Sequence, residues 1–443
     1  MALAPAVTQR LPGHPAGAVA RAIDHDLARR PADAASAALA QVYRARDWRP
    51  LWVGKQGVRP PAWRLIAMVR GARADDLDPA RYHPDRLQAL AARAGDRKPA
   101  DLARAEIAFS RALGAFVGDL RRAPPQAQPM FVDAAVKPPA TAPGAILAEA
   151  AAAPDLGAWL TSAAAVNPIY RRLAADLSSY RGPKAALVRA NLERARALPA
   201  SLGKRFVLVD IPAQTLWFYD GGKAVGSMKV VVGKTLPDGG TVDETPVMDG
   251  MIRWAVLDPY WWVPPDMARQ DVAPKMLRGG PGALARQDLQ AVSSPSADAA
   301  VIDPASIDWA AVAAGTGAVF LRQPPGPANM MGQIKFVFPN PLGIYLHDTP
   351  SKGLFEARQR DFSHGCVRLQ DAPRLAAWLF GRPLAPPPGR PPEDRVALAP
   401  PVPVYIVYLT AWPGPDGLVF WPDIYHRDPS LLASMEKGRA GAG

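Results

Sequence analysis

Apolar residues in the first two hundred positions recur at three- and four-residue intervals. In AEIAFSRALGAFVGDLRR (105–122), Ile107, Leu113, Phe116 and Leu120 fall on one face of a helix. ALAQVYRARDWRPLW (38–52) is rich in Ala, Leu and Arg and has no β-branched run, which also favours helix. Prolines between Pro124 and Pro143 break the pattern and predict a loop. Helical spacing resumes in NPIYRRLAADLSSYR (167–181) and ALVRANLERARALP (186–199). At Lys204 the texture changes. KRFVLVDIPAQTLWFYDGGKAVGSMKVVVGK clusters or alternates Val, Leu, Phe, Trp and Tyr, with Asp-Gly-Gly at 220–222 as a hairpin turn.

Further strands are predicted at IRWAVLD (252–258), AVFLRQ (318–323), QIKFVFP (333–339) and GIYLH (343–347). Strand signals weaken between Asp258 and Gln323, which predicts a subdomain inserted into the sheet. A proline-rich linker, RPLAPPPGRPPED (382–394), precedes VPVYIVYLTAW (402–412) and LVFWPDIY (418–425), two strands expected to return to the β domain. The division is a disordered N-terminus or signal remnant at 1–17, a helical domain at 18–203, a mainly β domain at 204–425 and a C-terminal tail at 426–443. The fold class is α+β.

A chain of 443 residues exceeds one ordinary core at about 150 residues per domain. Hydrophobic residues at 49% against 21% charged exclude a disordered or fibrous chain. The formal charge of +12 favours approach to polyanions, but the basic residues are scattered, without the aromatic interleaving of a nucleic-acid face. No nucleic-acid partner is expected. No apolar run reaches the roughly 18 residues of a membrane-spanning helix. MALAPAVTQRLPGHPAG lacks the basic start and apolar core of a secretory signal, yet its alternating small residues read like the tail of one, so a trimmed or misassigned start is expected.

The single cysteine, Cys366, excludes an internal disulfide, and without CxxC, HExxH or paired Cys/His spacing no metal site is predicted. His347, Asp348, His364 and Cys366 are suitable ligand types without the usual regular spacing. A thiol attacks as its thiolate and needs a nearby base or positive charge. His347 ends the apolar strand GIYLH and so sits at a sheet edge. Gly365 lets the chain turn and aim backbone N–H groups into one small space, the geometry of an oxyanion hole. On residues alone, a small buried cysteine with two satisfied histidines competes with this reading.

The stretch HDTP…SHGCVRLQD resembles the signature of the L,D-transpeptidase catalytic domain, with His347, Ser363, His364, Gly365, Cys366 and Arg368 in the matching positions. VVVGK (230–234), TPV (245–247), DPYWWVPP (258–265), LRQPPGPANMMGQIKFVFPN (321–340) and YLHDTPSKGLF (345–355) extend the likeness. Together they are similar to the large periplasmic branch, which has a helical scaffold domain and a lid, here at about 258–323. YRARDWRPLWV (43–53) and LDPARYH (77–83) resemble its scaffold segments. SSYRGPKAALVRANLERARALP leaves no room for the peptidoglycan-binding module that many relatives insert before the sheet.

The resemblance implies that Cys366 is the nucleophile and His347 the base. The third member orienting His347 maps onto the backbone carbonyl of Asp348, with the Asp348 carboxylate as a rival. His364 and the 364–366 backbone shape the oxyanion pocket, or His364 only packs there. Ser363 fixes the turn and is counted, with Arg368 and Tyr345, among the substrate-binding positions. Arg368 binds a substrate carboxylate or holds the loop through carbonyls, and Tyr345 lines the pocket. Tyr260, Trp261 and Trp262 read mainly as packing, and Lys234 as a solvated strand end. The implied activity is transfer from peptidoglycan tetrapeptide stems to form 3→3 cross-links, without a cofactor, by a periplasmic monomer inhibited covalently by carbapenems. Hydrolysis of stems and tethering of a lipoprotein lysine are alternatives within the same chemistry. A catalytically spent wall-binding scaffold is the alternative outside it.

Overall fold

The first half forms α1 (Ala18–Ala28), α2 (Ala34–Ala45), α3 (Pro60–Arg70), α4 (Pro84–Ala94), α5 (Pro99–Arg121), α6 (Pro143–Ala152), α7 (Leu156–Ala163), α8 (Pro168–Ser179) and α9 (Ala185–Arg196). The structure is a computed structural model and describes residues 17–28, 34–235, 240, 243–385 and 391–440. Most of the expected N-terminal remnant and the centre of the proline-rich linker, 386–390, therefore lie outside the described residues. Proline opens α3, α4, α5, α6 and α8, where its missing N–H has no intrahelical partner to lose. Helix α5 is the axis of the scaffold core, burying Leu102, Ile107, Phe109, Leu113, Phe116 and Leu120 among the neighbouring helices.

A buried carboxylate ties the YRARDWRPLWV segment to this axis. Glu106 on α5 accepts from the backbone N–H groups of Leu51 (2.5 Å), Trp52 (2.9 Å) and Val53 (3.0 Å), and from the Tyr43 hydroxyl (2.6 Å). Trp52 Nε1 donates to Ser110 one turn further along. These donors offset the cost of burying Glu106. They also fix the segment from which the short hairpin β1 (Val53–Gly54) and β2 (Gly57–Val58) emerges.

The predicted loop between Pro124 and Pro143 contains a strand, β3 (Met130–Phe131), which reaches the second half and pairs in parallel with Met248–Asp249. The second half is built on β4 (Arg205–Asp210), β5 (Thr215–Asp220), β6 (Lys223–Gly233) and β7 (Met248–Leu257). The turn between β5 and β6 uses Gly221 and Gly222 with φ of 56° and 79°, the left-handed pair a tight hairpin requires.

Residues 258–323 form a separate sheet and core. They supply β8 (Trp261–Trp262), α10 (Pro265–Met267), a π turn at Ala268–Val272, α11 (Ala273–Gly279), α12 (Gly282–Ala285), β9 (Gln290–Val292), β10 (Val301–Ile302), α13 (Trp309–Ala314) and β11 (Phe320–Gln323). This lid has its own four-stranded sheet, ordered β10-β9-β11-β8, and its own core around Val272, Met276, Leu284, Trp309 and Leu321.

The chain then adds β12 (Ile334–Val337), β13 (Leu346–His347), β14 (Asp361–Ser363), β15 (Val367–Leu369), α14 (Ala372–Phe380) and β16 (Asp394–Val407). The strands run β12-β13-β15-β6-β5-β4-β16-β7, and β12 also pairs with β7, so the sheet closes on itself as a barrel. β14 lies beside the end of β6. Alternate residues point inward. Val207, Val209, Phe336, Leu346, Val367, Leu369, Val404 and Ile406 meet Leu375 and Leu379 of α14 in the barrel core.

On the outer side, Phe206, Leu208, Tyr405 and Val407 are buried too, because α8 and α9 cover them with Ile169, Leu173, Val188 and Leu192. The sequence placed α8 and α9 with the scaffold, but their apolar faces pack on the barrel. Two late expectations change. LVFWPDIY yields β18 (Gly417–Phe420), which pairs with β17 (Ala411–Gly414) in a separate hairpin. Its neighbour VPVYIVYL does return to the barrel as β16. The expected tail contains α15 (Asp428–Ala440), seated by the buried Leu431 and by Asp428, which pairs with Arg194 at 2.5 Å. Among the described residues, no helix is long and apolar enough to cross a membrane.

Replacing Glu106 by Ala leaves three backbone donors without their acceptor and removes one of the two partners of the Tyr43 hydroxyl. Thermal unfolding should show a loss of at least about 3 kcal/mol, since each orphaned buried donor costs about 1–3 kcal/mol.

Candidate active site

Strands β13 and β15 are parallel neighbours, with Leu346 opposite Val367 and His347 opposite Arg368. Leu346 and Val367 fill the barrel core, so strand alternation sends Tyr345, His347, Cys366 and Arg368 to the opposite face. Lys335, which pairs with His347 from β12, joins the same face. Its ammonium lies over the Tyr345 ring at 5.5 Å and pairs with Glu393 at 3.1 Å. One sheet surface thus gathers one thiol, one imidazole, one phenol and two cations.

The turn that presents Cys366 is braced from several sides. Ser363 Oγ donates to the Cys366 carbonyl at 2.6 Å, across the turn. Gly365 has φ of 101°, and a Cβ there would stand 3.1 Å from Ile344, so both the conformation and the space call for glycine. Thr245 Oγ1 donates to the Gly365 carbonyl and accepts from Gly233 N, both at 2.8 Å. Tyr425 completes the brace, its hydroxyl donating to the Gly233 carbonyl at 2.6 Å and accepting from Thr245 N at 3.1 Å.

The His347 ring is buried, and its Nδ1 is 2.5 Å from the Asp348 carbonyl oxygen. With Nδ1 as the donor, Nε2 is left as the proton acceptor. The Asp348 carboxylate is engaged elsewhere, accepting from Lys352 Nζ at 2.6 Å and Gln333 N at 3.1 Å. Of the two ways Asp348 was expected to reach His347, the carbonyl makes the contact.

Burial first and the Arg368 charge second push the His347 imidazole down to about 4, against the Asp348 carbonyl and carboxylate and the Met331 backbone. Burial also pushes the Cys366 thiol up, against a hydrogen bond from the Tyr345 backbone and the charges of Arg368 and Lys335. Both groups therefore rest uncharged. Cys366 Sγ donates to the Gly343 carbonyl at 3.6 Å, and among the described residues no hydrogen bond joins it to His347. Catalytic hydrogen bonds commonly tighten only in the substrate complex.

Arg368 is half-buried, and among the described residues no carbonyl or carboxylate engages its guanidinium. His364 is exposed at the turn, with Nε2 at 3.4 Å from Lys234 Nζ and 4.0 Å from Asp243. Lys234, read as a solvated strand end, also pairs with Asp243 at 3.4 Å. The lid closes over this face. A cavity of about 760 Å³ is lined by Trp262, Asp266, Arg269 and Phe320 of the lid and by Tyr345 of the sheet. Trp261 and Tyr260 pack instead, the first in the lid core and the second under Arg322 at 4.5 Å.

Comparison with known proteins assigns both halves. The L,D-transpeptidase catalytic domain (YkuD) matches residues 204–397, and the Scaffold domain matches residues 37–177. The chain carries an L,D-transpeptidase catalytic domain together with a Scaffold domain. A curated Haemophilus influenzae protein named "Putative L,D-transpeptidase" is 30% identical over 255 residues, which is 54% of this chain and 48% of that protein. The chain thus spans about half the length of the curated relative it matches. An L,D-transpeptidase structure from Mycobacterium smegmatis is 16% identical, covering 46% of this chain and 58% of its own, at a TM-score of 0.21. The structure described as the Ldtfm-avibactam carbamoyl enzyme is 14% identical over 47% of this chain and 51% of its own, at 0.23. Scores this low transfer no residue roles.

Within this L,D-transpeptidase domain, sequence reasoning missed the braces. Thr245 lies in the TPV segment and Tyr425 in the last apolar run, and nothing local to either points at Cys366, which is distant in the chain. Lys335 did leave a signal, as a charge inside the apolar strand QIKFVFP.

Thr245→Val keeps the shape but strips the hydroxyl from two buried partners. It should cost about 1–3 kcal/mol in thermal unfolding and slow alkylation of Cys366 by iodoacetamide. A second expectation concerns pH. The folded imidazole stays neutral down to about 4, whereas an unfolded histidine takes up a proton near 6.5, so the unfolded state binds more protons between these values. Stability should fall by about 3 kcal/mol as pH drops through this window, and His347→Gln should flatten that slope in a melting series.

Proposed function

We propose that this chain is a periplasmic peptidoglycan L,D-transpeptidase working by cysteine acyl transfer. The observation that carries the reading is the placement of Tyr345, His347, Cys366 and Arg368 on one outward face of two neighbouring parallel strands, beneath the lid. The donor is a tetrapeptide stem. Cys366 Sγ attacks the carbonyl joining the third residue, a diamino acid, to the terminal D-Ala. The new S–C bond forms as the C–N bond breaks, and the thiol proton passes by way of His347 Nε2 to the departing D-Ala amine.

In the second half-reaction the side-chain amine of a neighbouring stem attacks the thioester. A C–N bond forms, the C–S bond breaks, and the amine proton returns through His347 to sulfur, leaving a 3→3 cross-link. The neutral resting pair suits this sequence, because an uncharged imidazole can accept the thiol proton only as attack proceeds. In this reading the backbone N–H groups of the 364–366 turn stabilise the oxyanion, and the unengaged Arg368 guanidinium receives a substrate carboxylate.

Incubation of the full chain with a disaccharide-tetrapeptide, followed by mass spectrometry, tests the reaction. A cross-linked dimer lacking one D-Ala is expected. Free tripeptide would make water the acceptor, and unchanged substrate would overturn both readings. A carbapenem should leave a mass adduct on the wild type and none on Cys366→Ala. An adduct that maps to another residue would remove Cys366 from the nucleophile role.

A further inference from the structure

The lid presents two opposite charges to the cavity above Tyr345. Asp266 and Arg269 stand three residues apart, where α10 passes into the π turn, and both line the cavity with Trp262, Phe320 and Tyr345. Opposite charges at this spacing on a helix can meet. Here, among the described residues, no ion pair joins them, and neither side chain has a hydrogen-bond or ion-pair partner. Burial pushes the His364 ring down, and Asp266 is one of the two carboxylates that oppose the fall, so the acidic end lies on the side of the Ser363–Cys366 turn. Phe320 is 45% exposed although it lines the same space, so the walls offer aromatic surface beside the charges.

We propose that Asp266 and Arg269 hold the zwitterionic end of the donor stem's third residue, its ammonium against Asp266 and its carboxylate against Arg269. The aliphatic chain that leads to this end lies along Trp262 and Phe320. This rests on the reading of the site as one that takes stem peptides. It names a diamino diacid of the diaminopimelate type as the preferred third residue. A lysine-type side chain ends in an ammonium alone and leaves Arg269 unanswered. An amidated diacid does the same. A site arranged around a charged group disfavours an analogue that lacks it, because its own polar group is then left unpaired.

Acyl-enzyme formation and D-Ala release can be followed by intact-mass spectrometry with three disaccharide-tetrapeptides, carrying diaminopimelate, amidated diaminopimelate or lysine. The wild type should acylate with the first about tenfold faster than with the other two, the size of one lost charge contact. Arg269→Gln should bring the diaminopimelate stem down to the rate of the amidated one without slowing the latter. Arg269→Lys, which keeps the charge, should recover most of the difference. Asp266→Asn should slow all three stems, since each has the ammonium. Equal wild-type rates on all stems, or a parallel loss on all three in Arg269→Gln, would overturn the inference and leave the transpeptidase reading standing. No acylation by any stem while iodoacetamide still labels Cys366 would sink that reading and this one with it.

Discussion

The inward packing of Leu346, Val367 and Leu369 constrains the candidate site, because successive residues of a strand point to opposite faces of the sheet. While those side chains fill the barrel core, Tyr345, His347, Cys366 and Arg368 have only the outer face available. A one-residue slip of either strand would exchange the two sets and bury the polar groups among Val, Leu and Ile. Closure of the sheet through β12 and β7 removes two free edges and holds this register from both sides. The chemistry proposed for this surface therefore depends on the packing of residues that take no part in it.

Around that face, burial sets the charge states. His347 and Cys366 are both held uncharged, so the site stores no ion pair to be separated when a substrate arrives. The fixed charges lie one step outward. Lys335 is compensated by Glu393, and the same carboxylate accepts from Tyr260 N at the root of the lid. The barrel surface, the lid and the entry to β16 thus share one polar junction, while Arg368 stands beside the thiol without such a partner among the described residues.

The first half of the chain serves the barrel more directly than its helical texture suggests. Helices α8 and α9 supply the apolar cover for the outer side of β4 and β16, and β3 adds to the edge of β7. Arg194 on α9 meets Asp428 and Thr410, which ties the C-terminal helix to α9 and to the segment that follows β16. The Scaffold segment closest to the N-terminus instead has a core of its own, organised around α5 and the buried Glu106.

Local periodicity and residue chemistry were enough for much of this. The helical half, the change to strands at Lys204 and the Asp-Gly-Gly hairpin follow from spacing within a few residues, whereas the grouping of His347 with Cys366 and Arg368 came from the likeness to a family signature. Contacts over long separations were not legible. Nothing near Thr245 or Tyr425 announces that they brace the Gly365 turn, and nothing in SSYRGPKAALVRANLERARALP says that its helices cover a sheet. The sequence by itself determined which segments are helix or strand and which residues have the chemistry, because those depend on side-chain type and period. Only the assembled fold shows that the Asp348 carbonyl and not its carboxylate meets His347, and that two lid charges line the cavity. Each of these depends on which atoms distant segments bring within hydrogen-bonding range.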